Sequence, residues 1–434
     1  MKTSRRLIAE ALERALDAGG EGGRVFVSLD ADGAIRAAED ADRVITAGLQ
    51  PSPLCGMPVS VKDLFDVAGQ VTTAGSVVLR GRPPAVHDST VVARLKHAGA
   101  IIIGRTNMTE FAYSGVGLNP HFGTPANPWD RKRRRIPGGS SSGAAVSVSD
   151  GMCFAALGSD TGGSVRIPAA LCGLVAFKPT QRRIPREGVF PLSFTLDSVG
   201  PIARSVACCA TVDSVLAGEK PVPLVAADLR SKRFAVPPNY FLDGLDKEVA
   251  ANFDAALKRL SDAGATLESI PFPELKVVSE IAAAGGISAP EAFAYHRRLG
   301  MDFAAYDSHV AERIMQGKPV SASGYLDMLD ARECLIRTFR ERFGHYDAML
   351  CPTVPIIAPE METLERDATE FWRVNGLLLR NPSVANFLDA CALTVPSHRS
   401  GDAPTGLMLI GHHLADRELL SVGLAVERVL NSPA

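Results

Sequence analysis

What this chain of 434 residues lacks narrows its function before anything else does. No stretch approaches the roughly 18 consecutive apolar residues that cross a bilayer, so a membrane-spanning role is not expected. The first twenty residues carry basic side chains but no apolar core, because Glu10, Glu13, Arg14 and Asp17 interrupt it. A secretory signal is therefore not expected there. Charge of one sign is also missing, since the net charge is −2. A chain so balanced has no general attraction for nucleic acid or anionic membrane. There are eight cysteines but no C-x-x-C pair. Most of them sit in apolar surroundings, as buried thiols do, which reads as a reduced set in a cytoplasmic setting. Nine histidines are present, His412-His413 among them, but no H-E-x-x-H and no Cys/His spacing of a zinc site. No metal centre is expected. Repeats, low-complexity tracts and clear linkers are absent too.

Glycine and serine, by contrast, are concentrated in one place. Pro137 to Thr180 holds eight glycines and seven serines around short apolar runs. Without a G-K-[ST] the stretch does not fit a phosphate loop. Glycine admits turns that a side chain forbids, and such turns bring backbone N–H groups against a small ligand. Ser140 follows Gly138-Gly139, and Ser164 follows Gly162-Gly163. Taken singly, a serine after two glycines is ordinarily a turn residue. With Lys62 of GMPVSVKDLFD, however, the two serines make a candidate nucleophile, relay and base.

Around this stretch, helical and strand patterns alternate. Ile8, Ala11, Leu12, Ala15 and Leu16 make one helical face, ending before Gly19-Gly20. Val59 and Val61 alternate with Ser60 and Lys62, the period of a strand. Asp88 to Ala98 reads as a helix capped near Asp88, followed by a buried strand at Ala100 to Ile103. Later come a helix through Val249, Phe253 and Leu260, a strand at Thr266 to Ile270 and a mostly helical region from Glu291 to Arg342. Strands then follow at Ala348 to Pro352, around Leu393 and Val395, and at Leu407 to Ile410. Asp416 is the expected cap of a last helix with Leu419, Val422, Val426 and Leu430 inward. The alternation predicts an α/β chain with one mixed sheet and helices on both faces.

Several segments occur in a fixed order: GMPVSVKDLFDVAG around Lys62, GRTNMTEFAYSGVG from Gly104, NPW at Asn127, GGSSSG, GSDTGGSVRIPAALCGLVAFKPT, and YDAMLCPTVPIIAP from Tyr346. Together they resemble the amidase signature family of serine amidohydrolases, over most of the chain. A small departure is Ala144, where many members have serine. The resemblance implies a single domain over 1–434, with a core at about 50–210 and a more variable helical region at about 220–345. It implies a Ser–cis-Ser–Lys triad, with Ser164 as nucleophile, Ser140 as the cis-serine after Gly139, and Lys62 as base. It also implies an oxyanion hole from the backbone N–H groups of Thr161, Gly162, Gly163 and Ser164, and no metal or organic cofactor.

The chemistry constrains these roles. A lysine base must be neutral, so its pKa has to fall from about 10.4 toward roughly 7–8. Val59, Val61 and Leu64 offer an apolar setting, while Asp63 opposes the shift if it faces inward. One serine hydroxyl can accept from Ser164 and donate to Lys62 at once. Asp160 and Arg166 are expected to brace the loop as an ion pair, and Pro168 suits the first turn of a helix beginning just after Ser164. Arg131-Lys132-Arg133-Arg134-Arg135 reads as a solvated loop, or alternatively as an anion-attracting rim at the site's mouth. Arg332 reads as a surface helix residue, although it matches thinly a family arginine that contacts a substrate carboxylate. The expected activity is hydrolysis of a small carboxamide through a Ser164 acyl-enzyme, by a monomer or homodimer that binds neither nucleic acid nor membrane. The acyl group stays open. The alternatives are the glutamine-hydrolysing component of a tRNA-dependent amidotransferase and a catalytically silent scaffold.

Overall fold

The computed structural model describes residues 2–432. Eleven strands form one sheet: β1 (Phe26–Leu29), β2 (Pro58–Lys62), β3 (Ile101–Thr106), β4 (Ala155–Asp160), β5 (Val175–Lys178), β6 (Ser198–Ala203), β7 (Arg233–Val236), β8 (Thr266–Ser269), β9 (Ala348–Pro352), β10 (Ala392–Pro396) and β11 (Gly406–Ile410). Their order is β1-β3-β2-β4-β6-β5-β10-β11-β9-β7-β8. β2 runs parallel to β3 and β4, and β7 runs parallel to β8 and β9. The pairs between these two parallel blocks are antiparallel, so the sheet is mixed, as the alternation predicted.

Side chains on a strand alternate between faces, and here the alternation divides the core in two. Val59, Val61, Ala155, Leu157, Val175, Phe177, Leu393 and Leu409 join one apolar cluster. Their neighbours one residue away, such as Ala156, Ala176, Ala392 and Met408, join clusters on the other face. Helices Val206–Ala217, Lys247–Asp262 and Asp416–Asn431 cover the first face. Helices Ser4–Leu16, Ala31–Thr46 and Ser142–Ser149 cover the second over the early strands. Ala322–Phe343 and Ala368–Phe387 cover it over the late ones. With both faces covered, β2 is buried at every position, its polar members included. Ser60 lies beneath helix Ser142–Ser149, its Oγ 2.9 Å from that of Ser147. Lys62, two residues on, belongs to the same face.

Some local expectations shift. The helix near Asp88 spans Thr90–His97 and follows Ser89. Asp88 caps nothing there; its carboxylate accepts from the Ala68 N–H and pairs with Lys96. Asp416 likewise is no cap. It is the first residue of its helix, and it accepts from the N–H and hydroxyl of Thr180 instead. Asp88 is taken by Ala68 and by Lys96 of that same helix, and Asp416 by Thr180, distant in sequence. The strand expected at Ala100 to Ile103 runs on to Thr106, because it is laced between β1 and β2. The region after Glu291 breaks into helices Ser288–Leu299, Ser308–Met315 and Ala322–Phe343. Among the described residues no helix is long and apolar enough to cross a membrane.

Candidate active site

Lys62 ends β2 with no exposed surface. Its ammonium donates to Ser140 Oγ at 2.7 Å and to Ser159 Oγ at 2.9 Å. Burial lowers its pKa from 10.5 to about 7, even though Asp160 and Asp197 both pull it upward. Taking the charged form out of water outweighs two acids that are themselves engaged elsewhere. Asp63 does not oppose the shift at close range. It faces Arg105, which donates Nε to Oδ1 at 2.7 Å, and it accepts from the Thr73 hydroxyl.

Ser140 follows a cis peptide bond at Gly139–Ser140. Gly139 has no room for a side chain, since a Cβ would stand 2.6 Å from the Gly117 nitrogen. The carbonyl of Ser140 accepts from the Thr109 N–H at 3.1 Å. The next N–H, of Ser141, reaches the Ser164 carbonyl at 3.3 Å, so the two serine loops are joined through the backbone.

Ser164 sits between the end of β4 and helix Arg166–Leu171, in whose first turn Pro168 stands as expected. Asp160 organises the loop. Its carboxylate accepts from the N–H groups of Gly163 (2.8 Å) and Val165 (3.2 Å), and from Arg166 Nη2 (2.9 Å) and Nε (3.1 Å). Neither side chain of this ion pair touches solvent. Burial alone would raise the Asp160 pKa, but Arg166, Lys178 and Asn386 overcome it and hold the group at about 2. Asn386 donates to Asp160 Oδ1 at 3.0 Å and accepts from Arg166 at 2.7 Å, which ties the loop to helix Ala368–Phe387. The same helix closes on Gly163, whose φ is +124°, where a Cβ would lie 2.5 Å from Pro382 Cβ. Thr161 is held separately, its hydroxyl donating to Asp197 at 2.6 Å.

Ser164, Thr161 and Gly162 line one cavity of about 780 Å³, its open mouth included. The cavity walls are largely apolar, with Leu192, Ile281 and Phe387 among them. Gly163 contributes no free N–H, since Asp160 takes it. Among the described residues, the N–H groups of Thr161, Gly162 and Ser164 have no protein acceptor. Of the residues singled out in the sequence, Lys62 and Ser140 share a hydrogen bond, the Ser140 and Ser164 loops are joined through the Ser141 N–H, and Thr161, Gly162 and Ser164 line the cavity, which Lys62 and Ser140 do not.

Two others behave differently from expectation. In the basic run, Arg131 is clamped by both oxygens of Asp150, and Arg135 is buried against Trp129 and Asp130. Only Lys132, Arg133 and Arg134 are exposed, and none of the five lines the cavity. Arg332 is not a surface residue: its side chain is only 11% exposed, and Nη2 reaches the Asn386 carbonyl at 3.4 Å. Ser159 and Asp197 carry no motif that marks them in the sequence. Strand register was their signal, because Ser159 lies on the strand next to Lys62, and Asp160 pairs with Ser198 beside Asp197.

Known proteins resemble this chain along nearly its whole length. The family model Amidase matches residues 8–420. The chain is 36% identical over 400 residues to 2-amino-5-chloromuconic acid deaminase of Comamonas testosteroni, covering 91% of this chain and 86% of that one. It is 34% identical over 441 residues to a glutamyl-tRNA(Gln) amidotransferase chain of a Roseiflexus species, covering 94% and 89%. A crystal structure described as an amidase superposes with a TM-score of 0.87 at 32% identity, covering 98% and 96%. The chain thus belongs to the amidase family and is a hydrolase of amide C–N bonds.

Proposed function

We propose that the chain hydrolyses a small carboxamide through an acyl-enzyme on Ser164, with Ser140 as relay and Lys62 as base. The observation that carries this reading is Lys62. A fully buried lysine with its pKa brought to about 7 and its nitrogen on a serine hydroxyl is a base poised for neutral pH. In the forward step neutral Lys62 takes a proton through Ser140, and Ser164 Oγ bonds to the amide carbon. The carbonyl oxygen becomes an oxyanion facing the N–H groups of Thr161, Gly162 and Ser164. Such aimed donors typically contribute about 3–4 kcal/mol in the transition state. The relay then returns the proton to the leaving nitrogen, and ammonia or an amine departs. Water, deprotonated through the same pair, releases the acid. Gly163 serves differently from the other loop members, because its N–H fixes Asp160 and its missing side chain lets the helix close.

One eleven-stranded sheet supports reading 1–434 as one amidase domain. Eight unpaired cysteines among the described residues support a reducing, cytoplasmic setting. A second reading is favoured by the amidotransferase relatives: the chain would hydrolyse glutamine and pass ammonia to partner proteins. The test is ammonia release from a panel of primary amides by the isolated chain, with fluorophosphonate labelling mapped by mass spectrometry. Turnover without partners and an adduct on Ser164 are expected. Turnover of glutamine alone, and only with added partner proteins, would put the second reading in place of the first. Labelling of Ser140 in place of Ser164 would overturn the assignment of roles.

A further inference from the structure

A short loop, Leu192 to Asp197, joins the cavity wall to the turn that bears Ser164. Leu192 and Leu196 line the cavity. Asp197 ends the loop, and its two carboxylate oxygens do different things. Oδ1 accepts from the Thr161 hydroxyl at 2.6 Å. Oδ2 accepts from the N–H groups of Leu192 (2.9 Å) and Ser193 (3.0 Å). The loop thus folds back onto its own last residue, and that residue holds Thr161.

A second carboxylate grips the middle of the loop. Glu291, in helix Ser288–Leu299, accepts from the hydroxyls of Ser193 and Thr195 and from the Thr195 N–H at 3.2 Å. Tyr325, in helix Ala322–Phe343, donates its hydroxyl to the same carboxylate at 2.6 Å. An ionised carboxylate has about four acceptor sites, and four donors fill them here. Glu291 is buried and does not line the cavity. A buried charge is tolerated only while its hydrogen bonds are made, so Glu291 favours the one loop conformation that makes them. Ser193 joins the two acids: its N–H goes to Asp197, its hydroxyl goes to Glu291, and its Oγ accepts the Leu196 N–H at 3.1 Å.

We propose that Glu291 is a positioning residue of the reaction: by holding Ser193 and Thr195 it fixes Asp197, and Asp197 fixes Thr161, whose N–H receives the oxyanion. This inference rests on the reading that Ser164 is the nucleophile, and the two can fail separately. An oxyanion donor is effective only when aimed before the reaction. A loosened Thr161 therefore costs turnover more than binding. The loop also bears on the base. Of the two acids that pull the Lys62 pKa upward, Asp160 is held by Arg166, whereas Asp197 moves with the loop. Displacing Asp197 removes part of that upward pull.

The test is steady-state kinetics across pH on the best substrate of the primary-amide panel, with Glu291→Ala, Glu291→Gln, Thr161→Val and the double variant Glu291→Gln/Thr161→Val. Glu291→Ala should lower kcat by about 10- to 100-fold, less than the roughly 100- to 1,000-fold of losing a donor outright. KM should change less. Glu291→Gln keeps one acceptor oxygen and should retain part of the rate. In both, the step in the rate profile should move to lower pH than in wild type. The double variant should lose little more than its worse single member, because both residues act through one chain of contacts. Glu291 variants with wild-type kcat and an unmoved pH step, losses that multiply in full in the double variant, or a loss confined to KM would each overturn the proposal. The Gln and Val changes keep side-chain shape, so the cycle decides even if Glu291→Ala fails to fold. Fluorophosphonate labelling of Ser140 in place of Ser164, with the coupling intact, would overturn the nucleophile assignment and leave the link between Glu291 and Thr161 standing.

Discussion

The buried network behind the Ser164 loop, its floor, and the wall of the cavity treat polar groups in opposite ways. On the floor, Lys62, Ser140, Ser159, Asp160, Arg166 and Asn386 are all buried, none lines the cavity itself, and each is bonded to another of the set. Their carriers are the ends of β2 and β4, two glycine turns and one late helix. On the wall, to which residues 278–288 contribute, apolar side chains predominate and the one charge, Arg313, is stacked on Tyr113. A buried network with no spare bonds holds atoms in one arrangement. An apolar wall tolerates exchange of residues and changes what fits. On the proposed reading, reaction chemistry falls to the part that cannot relax, and selection to the part that can.

The largest effect expected is on the floor. Ser164→Ala should reduce turnover at least about a thousandfold, because in the proposed triad Lys62 and Ser140 would have nothing to act through. Stability should change by only about 1 kcal/mol, the net worth of one hydroxyl. Denaturant melts beside an ammonia assay check both halves, and a variant with appreciable turnover would remove Ser164 from the mechanism.

Breaking the brace comes next. Asp160→Ala leaves Arg166 charged, buried and without its carboxylate, which costs about 3–5 kcal/mol. The denaturation midpoint should fall accordingly, and activity should fall with it as Gly163 and Val165 lose their acceptor. A loss under about 1 kcal/mol would mean that the floor relaxes around a missing partner.

Lys62→Met should do two opposite things. Catalysis should disappear, yet stability at neutral pH should rise by about 2 kcal/mol. The sign follows from proton binding. Lys62 takes up its proton near 10.5 when unfolded and near 7 when folded. Between those values the unfolded chain holds more protons, so wild-type stability increases as pH rises from 7 toward 10.5. At pH 7 the penalty is about 4 kcal/mol, offset by about 1 for each of two lost hydroxyl contacts. The gain from Lys62→Met should therefore fade as pH approaches 10.5. The same ionisation sets the activity profile of the wild type, which should rise with one step near pH 7. A profile that falls through that range would show that Lys62 works protonated.

The smallest effect belongs to the wall. Ile281→Ala removes part of the apolar lining and should reduce kcat/KM for a preferred amide by about 1 kcal/mol, the weight of a methylene or two in a pocket. It should act mainly through KM and leave the melting temperature almost unmoved, because Ile281 is only half-buried. Steady-state kinetics on two amides of different length separates this from a floor defect, which would act through kcat.

The same division explains what was legible in the sequence. Floor residues such as Lys62, Ser140 and Gly162 stand in local strings whose turns depend on glycine, and strand periodicity alone put Lys62 opposite Val61. The Asp160–Arg166 pair was legible because six residues separate its members. Asn386, 226 residues from Asp160, was not. Arg332 reads as exposed because a helical pattern does not say which neighbour will cover it. Arg313 had no signal at all, since the Tyr113 ring it stacks on lies 200 positions earlier.

The strand order bears on how the protein is made. β5 finds its second neighbour only in β10, more than 200 residues later in the chain. At the usual speed of a ribosome that interval takes about 10 to 40 s. Throughout it the edge of β5 is open and the loop bearing Ser164 lacks the helix that carries Pro382 and Asn386. A nascent chain arrested before Asn386 should resist fluorophosphonate labelling, and a full-length chain should accept it. On that outcome, the Ser164 loop takes its final form only when the late helix packs against it.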